Sequence, residues 1–310
     1  MTRLLTAMCA VFCLTTTMLV SAAHAMERTK QGYGLMITND VLGDAHDRWR
    51  TGSFESSLVF ARGWQGQAPA RFGELLELRF NGEVVAPEDA TNPRPLDRRY
   101  GQAVSLGLHT HFQPNRIDYA VGADVVVTGS QVGLDDVQGL VHDVLGGRDP
   151  SPAALATQIS NGVHANGVFE AGFRGQIGQA TEIRPFFEAR AGAETLARVG
   201  FDLTFGRYGS SGLLVRNPVS GHRLSAVEDA PYKGFSWVVG ADLAYVDNSI
   251  FIASSGPVRL EDYRTRVRAG VHWRSRAGTA IYYGVTWLSE EFNTQRTSQA
   301  VGSLQLRVKF

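Results

Sequence analysis

Apolar and polar side chains alternate along much of this chain. Between Tyr263 and Arg274, Tyr263, Thr265, Val267, Ala269, Val271 and Trp273 fall on one side, and Arg264, Arg266, Arg268, His272 and Arg274 on the other. A period of two is the signature of a β-strand. The same pattern runs through Phe235, Trp237, Val239, Ala241, Leu243 and Tyr245, through Ile281, Tyr283, Val285 and Trp287, and through Ile117, Tyr119, Val121, Ala123 and Val125 against Asp118 and Asp124. It ends the chain, where Leu304, Leu306, Val308 and Phe310 oppose Ser303, Gln305, Arg307 and Lys309. Arginine facing hydrocarbon costs about 2–4 kcal/mol near the bilayer midplane, so the row from Arg264 to Arg274 must line a lumen.

The alternation predicts strands near 33–40, 51–64, 72–84, 100–112, 116–128, 162–175, 181–193, 197–206, 234–246, 262–274, 279–290 and 300–310. Twelve is an even number, as single-chain membrane barrels require. Residues 26–310 contain no apolar run of about 18 residues, which excludes helical spans. A closed barrel can cross lipid without one. A soluble sandwich also alternates, but it would bury its aromatics centrally, whereas here they gather towards strand ends, as an interfacial girdle does. The expected fold is therefore all-β: a twelve-stranded antiparallel transmembrane β-barrel, with a short helix in an extracellular loop. The outward connections would be 41–50, 85–99, 129–161, 194–196, 247–261 and 291–299. The inward connection 207–233 is too long for a simple turn, and the sequence offers no explanation for it.

The amino terminus adds an address. Arg3, the apolar stretch from Leu4 to Val20 and the ending Ala23-His24-Ala25 read as a cleaved secretory signal over residues 1–25, leaving 26–310 as one barrel domain. Both cysteines, Cys9 and Cys13, lie in the removed segment, so disulfides and thiolate metal sites are excluded from the mature chain. The whole chain carries 30 basic and 30 acidic residues; losing Arg3 leaves 29 and 30, and no basic surface exists to attract nucleic acid. The expected location is the bacterial outer membrane, and the expected state a monomer.

Two segments carry candidate chemistry. Asp135 to Leu145 has helical spacing at Val137, Leu140, Val141 and Val144, acidic residues at its start and Gly146-Gly147 after it. Gln138 and His142 then share one helix face, where a histidine can serve as general base; a surface histidine with no role is the plainer alternative. Thr38-Asn39-Asp40 ends the first strand, and Thr51 opens the second across a short loop. That oxygen-rich rim suits a hard cation such as Ca²⁺, though an ordinary polar hairpin has the same composition. No Gly-x-Ser-x-Gly elbow is present. His109, His111, His164 and His222 scatter over strands and turns, which favours lumen or loop roles over a metal site.

ITNDVLGDAHDRWRTG near the start, LDRRYG before the fourth strand, VGLDDVQGLVHDVLG in the third outer loop and EEF before the last strand occur in one order. Together they resemble the outer-membrane lipid A 3′-O-deacylases, the LpxR family. The resemblance implies a site between barrel wall and loop helix at the height of the outer leaflet. There Asp40 would hold Ca²⁺, His142 would activate water, and Asn39, Thr51 and Gln138 would orient the site. It implies hydrolysis of the ester of the 3′-linked acyloxyacyl group of lipid A, the anchor of lipopolysaccharide. Two positions depart from the family pattern. A loop lysine is replaced by Asn92, with Arg94 nearby, and a carboxylate after the helix by Arg148, with Asp149 next to it. A divergent or inactive acyl hydrolase of the same barrel, and a passive outer-membrane pore, are the alternatives.

Overall fold

The computed structural model describes residues 28–135, 149–228, 233–252 and 256–307. In chain order its strands are β1 (Thr29–Asn39), β2 (Trp49–Ala61), β3 (Leu76–Ala86), β4 (Gly101–Phe112), β5 (Ile117–Thr128), β6 (Gly162–Phe173), β7 (Gly175–Ile177), β8 (Thr181–Ala191), β9 (Glu194–Phe205), β10 (Leu213–Arg216), β11 (Arg223–Val227), β12 (Gly234–Ser249), β13 (Tyr263–Arg274), β14 (Ala280–Leu288) and β15 (Gln299–Arg307). One short helix, α1 (Pro152–Ala156), lies in the third outward connection, its start capped by the Ser151 hydroxyl. The proposed signal segment and the last three residues fall outside the described residues.

Around the wall successive strands pair antiparallel, β9 pairs with β12 across the β10–β11 segment, β15 pairs with β1, and β6 pairs with β8, so the sheet closes on itself. β7 continues β6 past Arg174 along the same partner, and the two make one stave of a twelve-stranded barrel. Each expected strand is present with its ends moved by a few residues. The alternation points as the sequence requires. Tyr263 and Val267 are 63% and 47% exposed on the outer surface, while Arg266 and Arg268 are 4% and 1% exposed.

The lumen behind that wall is packed rather than open. Arg266 grips Asp242 through two bonds of 2.9 and 3.1 Å, and Arg268 bridges Asp242 and Asp202. Arg184 joins Asp118 and Glu170, and Arg198 joins Glu188 and Asp242. A buried charge is tolerable only when paired, and each of these five acids has an arginine beside it. His109 and His111 belong here as well, bonded to Asp124 at 2.8 Å and Glu77 at 2.6 Å.

Residues up to Glu228 of the unexplained segment 207–233 supply the filling. They turn into the barrel as the hairpin β10–β11, whose strands are buried almost throughout. Arg216 reaches Glu170 at 3.0 Å and Asp202 at 2.8 Å, Asn217 donates to Glu55 at 3.0 Å, and Arg266 donates to the carbonyl of Pro218 at 2.7 Å. His222 meets the Tyr282 hydroxyl at 2.6 Å. Below this polar tip Leu213, Leu214, Val215, Leu224 and Val227 pack with Met36, Val59, Tyr208 and Tyr282 into an apolar core. Gly32 and Gly34 make the approach possible, since a Cβ at Gly32 would lie 2.1 Å from the Ala226 carbonyl oxygen.

At the seam between first and last strands the ladder among the described residues has three pairs, Ile37 with Leu304, Thr38 with Ser303 and Asn39 with Gly302. Side chains add to it: Gln305 exchanges bonds of 3.0 and 2.8 Å with the backbone of Ser225 on β11, and Arg307 donates to Tyr33 and Ser225 carbonyls at 2.7 and 3.0 Å.

Candidate active site at the outer rim

Three of the five residues singled out in the sequence meet where β1 leaves the seam. The Asn39 amide donates to the Thr51 carbonyl at 2.7 Å, and the Asp40 N–H reaches the same oxygen at 3.3 Å. The chain then turns tightly, with the N–H groups of Gly43, Asp44 and Ala45 all directed at the Asp40 carbonyl. Leu42 is laid against Gly302 on the lipid-facing side of β15, and its carbonyl accepts from the outward Tyr283 hydroxyl at 2.7 Å. The rim loop therefore reaches from the lumen side to the outward face of the barrel.

Asp40 is fully buried. One carboxylate oxygen accepts from the Val41 N–H at 2.9 Å, the other from the Arg48 N–H at 2.7 Å, with the Gln299 amide at 3.4 Å. Burial, reinforced by the charges of Asp47 and Asp44, outweighs those backbone bonds and raises its carboxyl from 3.8 to about 9. Thr51 turns its hydroxyl to Asp47. Ala45 and Trp49 hold left-handed backbone, φ 62° and 54°. For tryptophan that conformation is strained and persists through burial against Ile252 and Phe292.

In chelating buffer, the raised carboxyl of Asp40 predicts a pH-dependent stability. Its neutral form favours the fold. The stability it contributes is complete below about 3.8 and is lost as pH rises through about 9. Urea midpoints of the detergent-folded barrel should fall over that window, and Asp40→Asn should flatten the fall. An equal fall in both proteins would remove Asp40 as its source.

Gln138 and His142 lie outside the described residues, as does Arg148. What precedes them is placed. Leu134 and Asp135 open a helical turn held by Gln102 of β4, whose carbonyl oxygen accepts from the Leu134 N–H at 2.6 Å and whose amide reaches Asp135 at 3.2 Å. Burial and the charges of Asp135, Asp47 and Asp149 push the Tyr100 phenol up. Asp47 of the first rim loop and Asp135 of the third thus act on one phenol.

A second layer was not singled out in the sequence. Gln299 bonds the Arg48 carbonyl at 2.5 Å and the Arg50 N–H at 3.1 Å, fixing the rim loop to β15. Glu291, within the EEF stretch, binds Arg50 at 2.7 Å, Arg98 at 2.6 Å and Arg264 at 3.4 Å. Burial alone would raise its carboxyl, but these guanidinium groups hold it well below the usual range. Of the two departures from the family pattern, Asn92 is exposed and its N–H bonds Asp89, while Arg94 is paired with Glu88 and lies 3.6 Å from Asp97.

A family model described as "Outer membrane protein LpxR" matches residues 7–310, nearly the whole chain. The chain belongs to the LpxR family. A solved LpxR from Salmonella typhimurium shares its fold, with TM-score 0.66 at 16% identity over 89% of this chain and 98% of that one. The NanC porin (TM-score 0.40, 8% identity, 90% and 100% covered) and the β domain of the Bordetella autotransporter BrkA (0.43, 11%, 90% and 99%) are more distant barrels. Among curated proteins no sequence match is found. Family and fold together make this LpxR-family chain an outer-membrane β-barrel.

Donor chemistry decides whether the rim suits the cation that the family implies. Among the described residues no three His, Cys, Asp or Glu side chains converge as a metal cluster. What is present is a desolvated carboxylate with two further acids nearby and hydroxyl and carbonyl oxygens around it. All are oxygen donors, the class that Ca²⁺ takes, and the set fits a cation held by one carboxylate together with neutral oxygens.

Proposed function

We propose that this LpxR-family barrel is a lipid A 3′-O-deacylase, a Ca²⁺-dependent esterase hydrolysing the ester of the 3′-linked acyloxyacyl group in the outer leaflet. The observation that carries the proposal is the convergence of Asn39, Asp40 and Thr51 at a rim loop that also touches lipid-facing β15. A lipid resident in the leaflet reaches such a loop laterally, so its acyl chains need no aqueous pocket. Asp40 is the residue to hold the cation, which when bound would stabilise negative charge on the ester carbonyl.

The chain's own groups do the rest. His142, in the segment after Asp135 whose spacing predicts a helix, takes the proton from the attacking water and returns it to the leaving alkoxide. Gln138, four residues earlier and on the same face of the helix that the sequence predicts, orients that water. Asn39 and Thr51 brace the loop carrying Asp40, one through its amide and the other through its carbonyl. Gln299 locks the loop to the last strand.

Mass spectra of lipid A from a heterologous Gram-negative host, with and without the chain, test the proposal. Loss of the mass of the 3′-linked acyl groups is the expected result; an unchanged spectrum in cells that insert the folded barrel would overturn it. The engaged Arg94 and exposed Asn92 favour one second reading, a divergent acyl hydrolase, for which the spectrum would show loss of a different acyl group.

A further inference from the structure

The salt-bridge network in the lumen does not balance in sign. Five acids, Asp118, Glu170, Glu188, Asp202 and Asp242, are joined by ion pairs to seven arginines. An eighth, Arg223 of β11, stands beside them and has no ion pair among the described residues. The acids that act on it, Asp118 and Asp202, are already engaged, the first by Arg174 and Arg184 and the second by Arg216 and Arg268. Arg79, with Glu55, Glu77 and His111, forms a separate group with no ion pair to this network. The positive excess therefore falls where Arg174, Arg184 and Arg223 gather about the one carboxylate of Asp118.

These three side chains line a cavity of about 40 Å³ at the base of the hairpin, closed further by Trp64, Ala68 and Gln113 of the inward connections. A water needs roughly 10–15 Å³ of such space, so the cavity suits a monatomic ion and is too small for a sugar. Arg174 donates its Nε to Asp118 at 3.0 Å, and both its Nη atoms are unbonded on a side chain that is 18% exposed. Arg223 makes one bond, from Nη2 to the Leu214 carbonyl at 3.3 Å; its Nε is sealed in protein, and its unbonded Nη1 is not. The donors on offer are thus the ones that reach open space. Gly172 completes the arrangement, since a Cβ there would lie 2.1 Å from the Arg184 Cζ, and only glycine lets that guanidinium rest on β6. Like charges gathered in a low-dielectric interior repel, and an anion between them removes the repulsion.

We infer that this cavity is a halide site that takes chloride, a counter-ion fastening the hairpin to the barrel wall. The ion accepts from Arg174, between β6 and β7 of the wall, and from Arg223 on β11 of the hairpin, two groups that share no other partner. A monatomic anion accepts from any direction, which suits donors arriving from separate strands. The inference is independent of the reaction at the outer rim.

Bromide, which replaces chloride and scatters anomalously, is the direct probe. Crystals of the detergent-folded full chain grown in sodium bromide should show an anomalous peak between Arg174 and Arg223; bromide confined to the outer surface would overturn the site. In solution at fixed ionic strength, the thermal midpoint should rise with chloride to a plateau, as binding to the folded state alone requires, and stay flat in gluconate, which is too large to enter. An equal rise in gluconate, or a rise without a plateau, would reduce the effect to screening and overturn the site. Half-saturation at a lower concentration of sulfate than of chloride would overturn the choice of a halide. Arg223→Met should raise the half-saturating chloride concentration at least tenfold. Arg174→Gln, placed where β6 gives way to β7, should do the same and decides the matter if Arg223→Met does not fold. An unchanged half-saturating concentration in either folded variant would overturn the site.

Discussion

His142→Ala is expected to abolish lipid A deacylation while the barrel still migrates as a folded, heat-modifiable species. A positioned general base contributes about 10²–10⁴ in rate, and without it water must surrender its proton to solvent. Leu134 and Asp135, held by Gln102 of β4, lead into the segment that carries His142, and the charges of Asp135 and Asp47 both act on the Tyr100 phenol. Single-turnover release of the acyl group from lipid A in mixed micelles, followed by mass spectrometry, provides the measurement. A variant that retains more than about a tenth of the rate would take the base away from His142. Gln138→Ala should cost less, since it removes an orienting group and leaves the base in place.

Replacing Gly209–Glu228 by a short glycine-serine linker is expected to turn a barrel that holds no steady current into one with stable conductance steps. The hairpin occupies the lumen with Arg216, Asn217 and His222 at its tip and an apolar core below. Removing it leaves the wall paired: Glu170 keeps Arg184 and Asp202 keeps Arg268. The variant should therefore insert and fold. Planar-bilayer recordings on both proteins decide the matter. A steady current through the parent, or a closed excised barrel, would contradict the role assigned to the hairpin. Twelve strands enclose a narrow bore, so small ions rather than bulky solutes are the appropriate probe.

The wall was legible because membrane and lumen impose opposite polarities on adjacent residues. Tyr263 and Arg264, or Trp273 and His272, reveal their sides without help from any distant contact. The rim was legible in part. Asn39, Asp40 and Thr51 stand at strand ends, and the hairpin register brings them together. The hairpin β10–β11 was not legible. Its polar tip reads as loop, and its partners, Glu55, Glu170 and Arg266, are scattered over three distant strands. The supporting role of Gln299 was hidden for the same reason: an amide on the last strand gains meaning only when β15 lies beside the turn after β1. The arginine row suggested a lumen lining. Its acids sit on the neighbouring β12 and on the more distant β9, so the pairing that fills the lumen emerges only once the sheet is closed.

The bonds from Gln305 and Arg307 to Ser225 place the hairpin directly behind the junction of first and last strands. Zipping that junction and seating the hairpin are consequently coupled events during biogenesis. A nascent barrel sealed too early would shut the hairpin out and strand Arg307 without its acceptor. The order of assembly is thereby written into the carboxy-terminal strand, which works as a clasp fastening both the hoop and its contents.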